Sequence, residues 1–155
     1  MAETTAGLLM VRKADTGLEF FIVHPGGPFF MQKNEGAWSI PKGLPENGET
    51  MLEAACREFQ EETGIQPTPP YLSLGTVKLK SGKIVHAWAF EGNWDPEIGI
   101  VSNLFTIEWP RGSGRKQQFV EVDRGTWASY EEAVCLINPM QAPLLERARE
   151  LFSHQ

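Results

Sequence analysis

From Gly43 to Ile65 the chain runs GLPENGETMLEAACREFQEETGI. Gly48 to Thr63 carries the clearest helical signature in the protein, with Thr50 as a capping residue, good helix formers inside, and Gly64 placed as a left-handed terminator. At about 100° per residue, Glu58 and Glu62 fall one turn apart with Glu61 beside them, so three carboxylates share a face. Leu52, Ala55, Cys56 and Phe59 occupy a separate apolar face suited to packing on a sheet. Clustered carboxylates repel one another, and a hard cation such as Mg²⁺ among their oxygens relieves that repulsion. The preceding Pro41-Lys42-Gly43 turn can bring a backbone carbonyl to the same ion, glycine allowing the close approach.

Outward from this helix, Ala6 to Arg12 and Leu18 to His24 read as a hairpin about the turn residues Lys13 to Gly17. Pro25-Gly26-Gly27-Pro28 forces a loop, and Gly36 to Ile40 reads as a short strand entering Pro41-Lys42-Gly43. Tyr71 to Lys80 and Lys83 to Glu91 form a second hairpin around Ser81-Gly82, with further strands expected at Asn103 to Trp109 and Phe119 to Asp123. Ser129 to Glu132 is a capping box opening a second helix that Asn138-Pro139 closes. A third helix starts near Pro143 and is expected to bury Leu144, Leu145, Ala148, Leu151 and Phe152. Strands, helix, strands and two helices predict an α+β fold, an α/β/α sandwich with a mixed or antiparallel sheet between helices.

A chain of 155 residues, 41% hydrophobic and 22% charged, accommodates one compact domain over residues 1–155. Its apolar runs are too short to span a bilayer, and Met1 to Thr5 lacks the basic start and apolar stretch of a secretion signal. A cytoplasmic protein without membrane contact is the expectation. Cys56 and Cys135 lie in helical patterns and are expected to be reduced thiols. A net charge of −6 argues against nucleic acid as a partner. It leaves open a small phosphorylated substrate held through bound cations.

Gly43, Glu49, Arg57, Glu58, Glu61, Glu62 and Gly64 stand at the fixed spacings of the Nudix box, which this segment resembles at every fixed position. Each fixed residue arises by chance at roughly one in fifteen, so coincidence explains the full set poorly. The resemblance implies a Nudix-type sandwich and hydrolysis of a phosphoanhydride in a nucleoside diphosphate linked to another group. It further implies Mg²⁺ or Mn²⁺ held by Glu58, Glu61, Glu62 and the Gly43 carbonyl. Spacing alone pairs Arg57 with Glu53 or Glu61; the resemblance pairs it with Glu49, bracing the loop against the helix. A general base is required, either Glu58 or an acid on a later loop. Glu121 is the favoured later acid, ahead of Asp123 and Glu108.

Trp38-Ser39-Ile40-Pro41-Lys42-Gly43 resembles the entry segment of dinucleoside polyphosphate hydrolases. Lys42 is a candidate for neutralising a terminal phosphate or else a solvated loop lysine, and Trp38 a candidate for stacking on a base or else a core aromatic. With His24 to Phe29 and Lys83 to Trp88, the chain is also similar to a bacterial group described as predicted nucleoside triphosphate pyrophosphohydrolases. Arg111 to Lys116 is a basic, glycine-rich loop in which Arg115 and Lys116 are candidate phosphate contacts. Dinucleoside polyphosphates are the first candidate substrates and nucleoside triphosphates the second. The contrasting reading is a nucleotide-binding sensor without turnover. Assembly as a monomer or a homodimer is left open.

Overall fold

The computed structural model describes residues 3–153. Thr4–Ala14 (β1) and Gly17–Pro25 (β2) form the first hairpin, and Lys42–Gly43 (β3) is a two-residue strand. Met51–Thr63 (α1) follows, then Leu72–Lys78 (β4) and Ile84–Glu91 (β5). Leu104–Glu108 (β6), Lys116–Val120 (β7) and Val122–Ala128 (β8) precede the helices Tyr130–Leu136 (α2) and Ala142–Ser153 (α3). A 3₁₀ turn at Pro139–Gln141 joins those two helices.

The main sheet is mixed, in the order β4-β5-β1-β2-β8, with β3 beside β1. β1 pairs parallel with β5 and antiparallel with β2 and β3. A strand covered on both faces needs apolar residues at every position, and Ala6, Leu8, Leu9, Met10 and Val11 of β1 are all 0% exposed. Leu8, Met10, Phe21 and Phe90 pack with Ala55 and Phe59 of α1 on one face. Leu9, Val11, Phe20 and Ile22 pack with Leu144, Leu145, Ala148 and Phe152 of α3 on the other. The result is the expected α/β/α sandwich.

Both predicted caps hold α1. The Thr50 hydroxyl accepts from the Glu53 amide at 3.1 Å, and the Glu53 carboxylate accepts from the Thr50 amide at 2.8 Å. At the other end Gly64, with φ of 79°, donates to the Gln60 carbonyl. Its neighbour β3 is tied to β1 through Gly43 opposite Ala6, which sets the Gly43 turn against the helix.

Three expectations are corrected. Gly36 to Ile40 is no strand: Ser39 bridges Val23 and Trp38 bridges Ile137 as isolated contacts, while the strand proper is Lys42–Gly43. Phe119 to Asp123 is not one strand but a break at Glu121 between β7 and β8. The strand β8 escapes a reading by apolar alternation because it is an edge strand carrying Asp123, Arg124 and Gly125, with only Val122 and Ala128 buried. Leu151 is 38% exposed rather than buried, since it lies at the margin of the α3 stripe, beside Ser73 and Leu74 of β4.

The strands β6 and β7 form a separate two-stranded arm. An isolated hairpin is marginal in water, and this one is anchored at its root. Asn103 donates to the Glu61 carbonyl at 2.8 Å, Glu121 donates to Asn103 at 2.9 Å, and Gly26 donates to Glu121 at 2.8 Å. Side chains at Gly26 and Gly27 would overlap the Val120 carbonyl and the Phe105 ring, so both glycines let the arm lie close to the loop after β2.

Candidate active site

Arg57 organises the acids around α1. Its Nε donates to Glu49 Oε2 at 2.8 Å and its Nη2 to Glu49 Oε1 at 3.1 Å, a bidentate pair. Its Nη1 reaches Glu58 Oε1 at 2.9 Å and Glu61 Oε2 at 3.1 Å, and Nη2 also donates to the Leu44 carbonyl at 3.0 Å. The hydrogen bonds that Arg57 donates to Glu49 lead the effects that raise the guanidinium pKa, so Arg57 stays a cation. Reciprocally, Arg57 first and the Glu46 backbone second hold Glu49 below the usual carboxylate range. Of the partners that spacing allowed, Glu61 is engaged and Glu53 is not: Glu53 serves the helix cap.

Glu62 turns the other way, into the protein, and is only 8% exposed. Burial pushes its carboxyl well above the usual range, and a hydrogen bond with Glu58 and the charges of Glu58 and Glu121 push in the same direction, opposed by Lys42. Glu58 sits between the two sets. A Cβ on Gly43 would overlap the Glu58 carboxyl, so only glycine admits that carboxylate against the β3 backbone. Lys42 is half-buried, and the desolvation lowers its ammonium pKa against the pull of Glu62, Glu121 and Glu58. Glu121, at the break between β7 and β8, has its pKa raised by burial and then by Glu58.

Lys42, Glu62 and Glu121 meet at a cavity of about 140 Å³ lined also by Val23, Pro25, Ser39, Ile40 and Val122. Its volume suits a phosphate-sized group. A larger hollow of about 520 Å³ lies elsewhere, between the β1–β2 turn and the ends of α2 and α3. Its charged lining is Lys13, Glu131 and Arg149, with the Arg149 guanidinium stacked 3.7 Å from the Tyr130 ring centroid, and it brings together none of the box acids.

Among the described residues, no three His, Cys, Asp or Glu side chains stand in a ready metal-holding arrangement; Glu58 and Glu61 each give an oxygen to Arg57 instead. The donor set is nonetheless that of a hard cation. Carboxylates only, a buried one needing compensation, and a glycine backbone that a carboxylate can approach all fit a divalent ion of the Mg²⁺ type.

Of the other candidate residues, Trp38 is 5% exposed, its indole N–H donating to Asn34 at 2.8 Å and the Arg124 guanidinium lying 5.3 Å from its ring. It is a core residue, and the stacking role is corrected because no free ring face meets solvent. Arg115 and Lys116 are exposed on the arm. Glu108 is also on the arm and accepts from the Gly112 amide at 3.0 Å. Asp123 is bound to His24 Nδ1 at 2.9 Å.

Two supporting residues were not expected from sequence. His24, 0% exposed, links Asp123 to the Lys33 carbonyl, which its Nε2 meets at 2.6 Å. Gln141, 1% exposed, accepts from the Ile40 amide at 3.1 Å and donates to Ser39 at 3.0 Å, fixing the segment that delivers Lys42. Neither pairing leaves a local pattern, because each joins positions far apart in the chain.

Comparison with known proteins places the chain in a family. The family model for the NUDIX domain matches residues 3–154. The chain is 31% identical to the asymmetrical bis(5'-nucleosyl)-tetraphosphatase of Rattus norvegicus over 124 residues, covering 70% of this chain and 79% of that protein. It is 27% identical to phosphatase NudJ of Escherichia coli (strain K12) over 128 residues, covering 80% and 74%. Among solved structures, a C. elegans Ap4A hydrolase binary complex matches with TM-score 0.69 and 22% identity, covering 97% of this chain and 99% of that one. The NUDIX domain of Shewanella oneidensis NrtR, complexed with ADP ribose, matches with TM-score 0.65 and 18% identity over 98% and 89%. These structural likenesses concern the fold.

Proposed function

We propose that this chain, which belongs to the NUDIX family and is a pyrophosphohydrolase acting on phosphorus-containing acid anhydrides, is a divalent-metal enzyme cleaving a nucleoside diphosphate linked to another group. The observation that carries the metal is the division of labour on α1: Arg57 braces Glu49, Glu58 and Glu61, while Glu62 is buried beside Glu58 facing Lys42. The residues that would hold Mg²⁺ or Mn²⁺ are Glu58, Glu61, Glu62 and the Gly43 carbonyl. When bound, the cation offsets the carboxylate repulsion and supplies Lewis-acid polarisation of a phosphoryl oxygen.

The chain's own groups then divide the task. Lys42, held among Glu58, Glu62 and Glu121, neutralises the phosphate entering the cavity. The general base is Glu58 or Glu121; Glu121 is an exposed residue that lines the cavity, and partial desolvation of its carboxyl raises its basicity, which favours it as the proton acceptor. Arg115 and Lys116 on the arm contact additional phosphates. Dinucleoside polyphosphates are the favoured substrates, supported by the rat relative that acts on such a compound by name, with nucleoside triphosphates second.

On this reading the enzyme acts in the cytoplasm as a monomer or homodimer, with no nucleic-acid or membrane partner. No helix among the described residues is long and apolar enough to cross a membrane. The test is a panel of dinucleoside polyphosphates, nucleoside triphosphates and nucleotide sugars with Mg²⁺ or Mn²⁺, scored for released nucleotide. Turnover with a metal that EDTA abolishes is expected. Tight binding of nucleotide with no turnover of any anhydride would turn the reading toward a sensor.

A further inference from the structure

The arm formed by β6 and β7 carries Arg115 and Lys116, and both of its attachments are at the site. It ends at Glu121, and the loop it covers begins at Pro25, a lining residue of the phosphate-sized cavity. At its tip the Trp109 ring meets Phe29 of that loop at 5.3 Å between centroids and 78° between planes. The Arg111 guanidinium lies 5.3 Å from the Phe29 ring. Phe29 remains 39% exposed, although burial of an aromatic against another is the ordinary outcome.

Arg111, Arg115 and Lys116 stand on the arm, and none of the three enters an ion pair among the described residues. Cations without carboxylate partners next to an aromatic corner make a surface for a ligand that is anionic along its length and flat at its end.

We propose that Phe29, Trp109 and Arg111 form a subsite for a nucleobase of the phosphorylated substrate. The proposal rests on the phosphoanhydride-hydrolase reading and adds to it which residues take the base. Two near-perpendicular rings let a planar base lie on one and abut the other, and the guanidinium can stack on the base or donate to its ring nitrogens and carbonyls. Phe29 lies four residues past Pro25, and four residues of chain reach at most ~14 Å. The base site therefore lies no farther than that span from the Pro25 edge of the cavity, within reach of a nucleotide whose phosphate occupies it.

The experiment is a metal-free binding titration, in EDTA, of the full chain with adenosine 5'-tetraphosphate and with inorganic tetraphosphate as the base-free probe. The wild-type protein is expected to prefer the base-bearing probe by about tenfold, equivalent to about 1.4 kcal/mol. Phe29→Ala and Trp109→Ala, both at surface positions, should each remove most of that preference while leaving the affinity for inorganic tetraphosphate unchanged. A wild-type protein with no preference for the base-bearing probe, or variants that keep it, overturns the subsite. Phe29→Tyr, which keeps the ring, should retain the preference, and its loss there would equally count against stacking. Because no step of the titration requires turnover, a failed hydrolysis panel and a failed preference are separate results.

Discussion

Glu62 and Glu61 are adjacent in sequence and opposite in circumstance. Glu61 is partly solvated and bound to Arg57, whereas Glu62 is buried with Glu58 and Glu121 acting against its charge. Without metal, a carboxyl whose folded pKa is raised stabilises the fold fully below its unfolded pKa, and that contribution is lost as pH rises through the folded pKa. The metal-free protein should therefore lose thermal stability as pH climbs above the ordinary glutamate range, and Glu62→Gln should flatten that decline. Melting curves in EDTA from pH 4 to pH 9 check this, and an equally steep decline in the variant would contradict it. Adding Mg²⁺ at alkaline pH should raise the melting temperature of the wild type more than that of Glu62→Gln. At Gly43 the constraint is steric: Gly43→Ala drives a methyl into the Glu58 carboxyl. Overpacking of this kind costs about 1–3 kcal/mol, and turnover should fall about a hundredfold through displacement of Glu58, on the scale of a misplaced catalytic group. Kinetics with parallel denaturant melts separate the two effects.

At the scale of elements, α1 was legible because everything that defines it is local. Thr50, Glu53 and Gly64 act within a turn of the helix ends, and the Arg57 bracing of Glu49 spans a single loop. Thr50→Ala should cost about 1 kcal/mol, seen as a lowered denaturant midpoint with an unchanged slope. The acid face was less legible. Helical periodicity grouped Glu58, Glu61 and Glu62, yet it gives no information about which edge of that face the sheet covers, and this is what separates Glu62 from Glu61. The edge strand β8 was invisible for a related reason. Its pairing with β2 is long-range, and an exposed strand carrying Asp123 and Arg124 has no apolar rhythm to read. The basic segment Arg111 to Lys116 was recognised as a loop, but its neighbour Phe29 lies far off in sequence, so the aromatic corner appears only once the arm is folded over the Pro25 loop.

Across the whole molecule, the two apolar clusters on either side of the sheet involve neither β6 nor β7. Cooperative unfolding should thus belong to the sandwich alone. Replacing Leu104 to Val120 with a short glycine-serine link should shift the melting temperature by only a few degrees in calorimetry, a scale of about 1 kcal/mol for a domain of this size. A broad or split transition would show the arm to be part of the folding unit. The ends left by that excision are already neighbours, since Glu121 donates to the Asn103 carbonyl across the root. A closed root of this sort makes the hairpin a cassette: lineages can lengthen, shorten or rewrite it while the acids on the helix keep their positions, so preference among substrates can drift without reinvention of the hydrolytic chemistry.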